Sequence, residues 1–169
     1  MQQHVAILVL ATCVAACGGA AHPSVSARQA AIDQCLVGRW RSTGVSGTIV
    51  VGGASVLLSG AGGEVLTIGT EGAALVDDTH AQALNGTAPD GTEYRLVQVG
   101  RGTATITSSA NRIGVGLADP AALTVMLYRN NILLQTTHPA AATDTYTCRA
   151  HSALVIAGAG STVTTYAAA

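Results

Sequence analysis

From residue 37 onward, short apolar and β-branched runs alternate with turns rich in glycine, asparagine, aspartate and proline. In one such run Ala104 and Ile106 would face one side of a strand, and the threonines around them the other. Many short strands with no helical periodicity between them are typical of an antiparallel barrel or sandwich. The predicted strands cover residues 38–43, 48–51, 54–59, 64–69, 73–77, 93–99, 103–108, 112–116, 123–129, 132–136, 145–149, 152–157 and 162–166.

One short helix is expected ahead of the first strand, over residues 27 to about 34, because Ser26 can cap it. Asn85-Gly86-Thr87 is expected to form a turn, since Asn-Gly readily adopts positive φ. The pattern therefore predicts an all-β fold, an antiparallel barrel or a β-sandwich, preceded by a short helix; a resemblance described below favours the single antiparallel barrel.

Composition limits the range of functions. The 169 residues fit one domain. The net charge of −1, the absence of lysine and the scarcity of aromatic residues argue against a nucleic-acid partner, because phosphate contacts need clustered positive charge and base stacking needs aromatic rings. No cofactor motif is present, so we expect none to be bound.

The N-terminus indicates export. Residues 5–16 form an apolar run with the length of a signal-peptide core, too short to favour a membrane span. It ends in Val14-Ala15-Ala16-Cys17, followed by two glycines, and this segment resembles the lipobox of bacterial lipoproteins. The resemblance implies cleavage before Cys17 and attachment of acyl chains such as palmitate there. The alternative is an apolar N-terminal helix with an incidental cysteine.

The resemblance also implies an organisation and a location. Residues 1–16 would be a lipoprotein signal peptide, 17–26 a flexible tether and 27–169 the barrel domain. The protein would lie in the cell envelope, outside the cytoplasm, and its N-terminal lipid would bind it to a membrane.

Four cysteines are present. If Cys13 leaves with the signal and Cys17 is lipidated, Cys35 and Cys148 remain in an oxidising location, and we expect them to form a disulfide. The alternative is two unpaired buried thiols.

The segment from Cys35 to Trp40 contains Gly-x-Trp and resembles the opening of lipocalin-like barrels. In that family the tryptophan plugs the closed end of an up-and-down barrel, which implies this role for Trp40. A late Tyr146-x-Cys148 segment is a second point of similarity. The alternative fold is an immunoglobulin-like sandwich, because Asp144-x-Tyr146-x-Cys148 imitates the tyrosine-corner signature.

Asp77-Asp78-Thr79-His80 is the one tight cluster of titratable groups in the sequence. In a strand, Asp78 and His80 would share a face, from which Asp77 would point away. This spacing makes Asp78 and His80 a weak candidate for a polar site, either for acid–base chemistry or for a metal. The alternative is a solvated strand end, and we predict no catalytic residue and no metal ligand.

Three functions follow from the sequence. The barrel could bind a small apolar or lipidic ligand, because barrels of eight strands can enclose one small molecule. It could instead be filled by side chains and serve as a structural or interaction element that contacts an envelope protein. An enzyme with a site at Asp78 and His80 is the least favoured hypothesis, so we predict that the protein is not an enzyme.

Overall fold

The computed structural model describes residues 32–149, 152–158 and 161–169. Within those ranges the chain is all-β, as predicted, apart from a turn of 3₁₀ helix at Pro120–Ala122 and 3₁₀ geometry at Ser161. No described helix is long and apolar enough to cross a membrane. The proposed signal peptide, tether and lipidation site at Cys17 lie outside the described residues. The strands are β1 Gly38–Val51, β2 Ala54–Gly60, β3 Val65–Ile68, β4 Ala73–Asp77, β5 Leu84–Thr87, β6 Glu93–Ser109, β7 Arg112–Leu117, β8 Leu123–Arg129, β9 Ile132–Thr137, β10 Ala142–Arg149, β11 Ala153–Ala157 and β12 Val163–Ala168.

All twelve strands belong to one antiparallel sheet that closes into a ring. β2 and β3 follow one another along β1, and β4 and β5 follow one another along β6. In the same way β7 and β8 lie along the other edge of β6, and β9 and β10 continue the meander beside them. Four pairs of short strands thus act as four long interrupted ones. The result is an up-and-down barrel with eight strand positions, in which β12 pairs with β1 to close the ring.

The barrel has two halves of different character. In the closed half, the first part of β1, the last part of β6 and six other strands complete the ring (β3, β4, β7, β10, β11 and β12). In the open half, β1 beyond Ser46 pairs with β2 alone, and β9 pairs with β8 alone, within the described chain. The open half therefore has two unpaired edges, and the barrel wall is split between them.

A continuous apolar core fills the closed half. Trp40 is 1% exposed and packs among side chains from the closed-half strands. The indole Nε1 donates a hydrogen bond to the Leu36 carbonyl oxygen at 2.8 Å, so its polar atom is satisfied. The other fully buried members of this core are Leu36, Ile68, Ile113 and Leu154.

The structure describes only the end of the predicted helix ahead of β1. Residues 27–31 of that prediction lie outside the described chain, and residues 32–34 are not helical. The Asp33 side chain accepts a hydrogen bond from the Tyr146 hydroxyl at 2.7 Å and from the Cys35 amide at 3.0 Å, and its own amide donates to Ser108. The bonds to Tyr146 and Ser108 join this segment to β10 and β6 and position it against the closed half.

Cys35 and Cys148 form the predicted disulfide, with their Cα atoms 6.1 Å apart. The bond joins the segment ahead of β1 to β10 across a sequence separation of 113 residues. Leu36, which follows Cys35, is completely buried in the closed-half core. The disulfide therefore restrains the segment that covers this core.

We predict that replacing both cysteines by serine lowers the free energy of unfolding by about 2–5 kcal/mol, because the open chain regains the entropy of a long loop. Urea denaturation with and without reductant measures the loss. Reduced wild type should approach the Cys35→Ser/Cys148→Ser variant, which reductant should leave unchanged. Equal midpoints for oxidised wild type and variant would contradict the prediction.

Candidate functional site

The strand interruptions lie at one level of the barrel, between the two halves. β2 ends at Gly60 and β3 begins at Val65, while β4 ends at Asp77 and β5 begins at Leu84. At the same level β1 has a register shift after Ser42, and Gly100 in β6 has φ +121°. Backbone that leaves the regular ladder can turn side chains inward that a regular strand would not. Two acidic side chains occupy this level.

Gly62 and Gly63 determine the position of the first, Glu64. Both glycines have positive φ, +82° and +103°. The Gly63 amide donates to the Ser42 carbonyl oxygen at 2.9 Å, and the Ser42 amide donates to the Glu64 carbonyl oxygen at 2.9 Å. A side chain at Gly63 would collide with the carbonyl oxygen of His80. The two interruptions therefore pack directly against each other, and only glycine fits between them.

Asp78, the second acidic residue, lies in the other interruption. Its amide donates to the Gly100 carbonyl oxygen at 2.9 Å, and its carbonyl oxygen accepts from the Ala81 amide at 3.0 Å. The residue is only 3% exposed, and its Oδ1 atom has no hydrogen-bond donor. A buried carboxylate oxygen without a donor is costly, so this group favours its protonated form.

Glu64 and Asp78 form a carboxyl pair. Burial, followed by the charge of Glu64 and a hydrogen bond with it, raises the pKa of Asp78 to about 7. Burial also raises the pKa of Glu64, although hydrogen bonds from Tyr166 and Asp78 act in the opposite direction. The Tyr166 hydroxyl donates to Glu64 Oε1 at 2.6 Å, and burial next to this carboxylate raises the pKa of Tyr166 well above its ordinary value. Two adjacent carboxyls with raised pKa values share a proton near neutral pH.

A cavity of about 280 Å³ lies above the pair, and Glu64 lines it. Its wall is mainly apolar and comes largely from the open half, with Thr164 of β12 and Thr162 just before that strand contributing at the edge of the closed half. The lining residues are Val45, Gly47, Thr48, Ile49, Leu58, Glu64, Leu84, Leu96, Gln98, Val125, Thr162 and Thr164. An apolar enclosure with a few convergent polar groups is the usual form of a small-molecule site.

The structure separates the two residues of the predicted polar site. Asp78 points into the barrel, whereas His80 is exposed in the turn that follows. The two residues do not share a face, because β4 ends at Asp77 and the alternation of a strand does not extend beyond it. Asp77 points away from Asp78, and one carboxylate oxygen accepts bonds from Thr79 while the other lies 3.7 Å from the exposed Arg101. Among the described residues, no group of three or more potential ligands could bind a metal ion.

Sequence reasoning missed Glu64, the glycine pair that positions it, and Tyr166. Glu64 was placed at the start of a predicted strand, where a polar residue is ordinarily solvated. One signal was present: Gly62-Gly63 directly precedes an acidic residue and the apolar Val65-Leu66. That pattern is compatible with an inward turn, but it does not specify one.

Comparisons with protein-family models, with curated proteins and with solved structures found no significant match to this chain. The functional argument therefore rests on the site itself.

The carboxyl pair predicts that stability falls as pH rises from 5 to 8. The folded pKa of Asp78, about 7, lies above its ordinary value of 3.8, so the folded state binds a proton that the unfolded state releases. The resulting stabilisation is complete below the unfolded pKa and disappears as pH rises through the folded one. The expected loss is about 2–3 kcal/mol, at 1.36 kcal/mol per pKa unit.

Urea denaturation at several pH values measures this slope in wild type and in Asp78→Asn, which should remove most of it. Glu71→Gln is the matched control, because Glu71 is exposed in the β3–β4 turn and its loss should leave the slope unchanged. A wild-type stability that is flat, or that increases, between pH 5 and 8 would rule out a shared proton.

We also predict that Gly63→Ala destabilises the fold by about 2 kcal/mol or more, from backbone strain and the collision with His80. Gly91→Ala is the control, because Gly91 has φ +85° and nothing within 4 Å, so it carries the strain alone. Urea denaturation should show the larger loss at Gly63. Equal losses would mean that the two interruptions do not pack as described.

Proposed function

We propose that this chain is an exported lipoprotein of the bacterial cell envelope that binds a small, mainly apolar molecule in the open half of its barrel. The cavity of about 280 Å³ beneath the split wall is the observation that carries the proposal. Its volume is close to the lower end of the range for small-molecule sites, about 300–1,000 Å³. A ligand on the order of nine non-hydrogen atoms would fill it, if each occupies about the volume of a water molecule in the liquid.

The difference between the two halves supports binding over a purely structural role. Trp40 and its neighbours pack the closed half without help from a ligand. In the open half, a second cluster that includes Val56, Leu58 and Leu127 covers part of the interior and leaves the cavity beside it. Concave apolar surface that no side chain covers forfeits packing energy, and a ligand can restore it.

Access to the cavity is consistent with this role. Gly47 and Thr48 line it from the part of β1 that lies beyond the pairing with β12. Val125 lines it from β8, whose neighbour β9 is the other unpaired edge. The wall can separate there without breaking a strand pairing, which gives a small molecule a route to the interior.

The envelope location and the lipocalin-like character are parts of the same proposal. The lipobox-like sequence before Cys17 supports lipid attachment, and the disulfide suits an oxidising compartment. The up-and-down order of the ring and the burial of Trp40 among the closed-half strands suit a lipocalin-like barrel whose tryptophan plugs the closed end. The expected partners are a membrane, through the lipid, and the small apolar ligand.

Mass spectrometry of an organic extract of the protein, purified from its native envelope, tests the proposal. We expect one small molecule at about equimolar amount. Ile49→Trp, which places an indole in the cavity, should remove it, because Ile49 lines the cavity and is only partly buried. Leu57→Trp is the matched control, since Leu57 lies on the neighbouring strand β2 and is 64% exposed.

Loss of the molecule in Ile49→Trp and its retention in Leu57→Trp would support the proposal. An empty wild-type protein, together with a higher unfolding temperature for Ile49→Trp than for wild type, would favour the structural alternative.

A further inference from the structure

The floor of the cavity carries negative charge that the described side chains do not neutralise. Glu64 lines the cavity, and the buried Asp78 with its unpartnered Oδ1 pairs with it. While the two carboxyls hold a single proton between them, they carry one negative charge. Tyr166 donates one hydrogen bond to Glu64 but brings no charge.

No cation lies at this position in the described chain. The cavity lining contains no arginine or histidine, and the recorded ion pair is Arg101 with Asp77, on the outside of the barrel. A buried charge without a counter-charge is one of the more destabilising features that a core can contain. A ligand that brings a positive charge would compensate it directly.

We infer that the molecule bound in this cavity is a small organic amine, with its ammonium group against Glu64 and its apolar part between Ile49, Leu96 and Val125. This inference rests on the proposed function and names the chemical class of its ligand. An ammonium group supplies up to three hydrogen-bond donors, enough for a carboxyl pair that lacks one. The apolar part would contact the walls, which contribute the larger share of the lining.

A metal ion and a neutral alcohol fit the same floor less well. Metal sites of oxygen ligands need several carboxylates or carbonyls, and no group of three or more candidate side chains exists among the described residues. An alcohol could donate one hydrogen bond but would leave the charge uncompensated. Hydrogen bonds to charged groups are about twice as strong as neutral ones, which favours the amine.

Amine binding should depend on pH, because protonation of the pair removes the negative charge that the ammonium group would compensate. The groups that face Glu64 are Asp78, paired with it, and Tyr166 from β12, while Asp77 acts on the pair through Asp78. Tyr166 stays protonated throughout the range tested, since its pKa lies well above 10. Raising pH from 5.5 to 8 removes protons from the pair, so the affinity for an amine should increase, while that for an alcohol should change much less.

The test compares hexylamine, hexanol and hexanoate, which share a six-carbon chain and differ in charge. The full-length protein is reconstituted in lipid nanodiscs and titrated calorimetrically, with the heat from empty nanodiscs subtracted. At pH 7.5 we expect hexylamine to bind about tenfold more tightly than hexanol, and hexanoate to bind most weakly.

Glu64→Gln should reduce the amine preference to within about threefold, because it keeps the side-chain shape and an acceptor for Tyr166 but removes the charge. Its affinity for hexanol should fall by no more than about twofold, because the amide oxygen still accepts a hydrogen bond, and this small change would show that the cavity is intact. Glu71→Gln removes the same charge from an exposed turn and should behave as wild type. Asp78→Asn is a second variant that alters the same carboxyl pair. The dependence of wild-type amine affinity on pH tests the inference even if both variants of the pair fail to fold.

The outcomes distinguish the inference from the function beneath it. Hexanol binding as tightly as hexylamine, or hexanoate binding most tightly, would overturn the amine assignment and leave the binding function standing. An amine preference that Glu64→Gln preserves would also overturn it. The absence of binding by all three compounds, with nothing in the organic extract, would overturn the proposed function itself.

Discussion

Closure of the sheet through β1 and β12 is the constraint on which the rest of this structure depends. The pairing covers six positions, from Trp40 opposite Ala168 to Ser46 opposite Val163. Below Ser46 it satisfies the backbone donors and acceptors of both edges and allows a continuous core around Trp40. β12 begins at Val163, opposite Ser46, so beyond Ser46 the strand β1 has no β12 residue beside it and pairs only with β2. The short last strand therefore accounts for a closed half, a split half and the cavity between them.

The boundary between the halves is where regular pairing fails and where the polar chemistry collects. A strand that passes through this level unbroken would place its inward side chains in a dry core, as Ala104 and Ile106 are placed. The interruptions at 61–64 and 78–83 instead bring two carboxyls together beside the cavity. Placing them there costs stability, because desolvation raises the pKa of both carboxyls, the charge of Glu64 raises that of Asp78 further, and Asp78 Oδ1 lacks a donor. The shared proton offsets part of that cost at neutral pH, at the expense of a pH-dependent fold.

The sequence predicted the fold class and most strands, because the alternation of apolar and polar residues is a local property. It predicted the disulfide because export and lipidation would leave two cysteines to pair. The sequence wrongly predicted strand ends or turns at two glycines that lie within strands. β6 passes through Gly100, whose missing side chain admits the Ala122 carbonyl oxygen, and β5 contains Gly86, which approaches the Leu57 carbonyl oxygen. Both glycines permit close backbone contact within the sheet, whereas an isolated sequence suggests a turn. The carboxyl pair could not be predicted, since Glu64 and Asp78 meet only through the register of β3 with β4.

That register also bears on why a carboxyl pair should stand at the base of an apolar cavity. A pair of apolar residues of similar size would pack there without desolvation, and replacing buried charges in this way often stabilises proteins by about 1–4 kcal/mol. A barrel with a purely structural role would gain from such a replacement. For a binding role the balance differs, because an amine at Glu64 would supply the counter-charge that the pair lacks and remain exchangeable through the split wall. Ligand binding and protonation would then stabilise the same carboxyl pair, so that raising the pH would lower the stability of the empty barrel and raise its affinity for the amine.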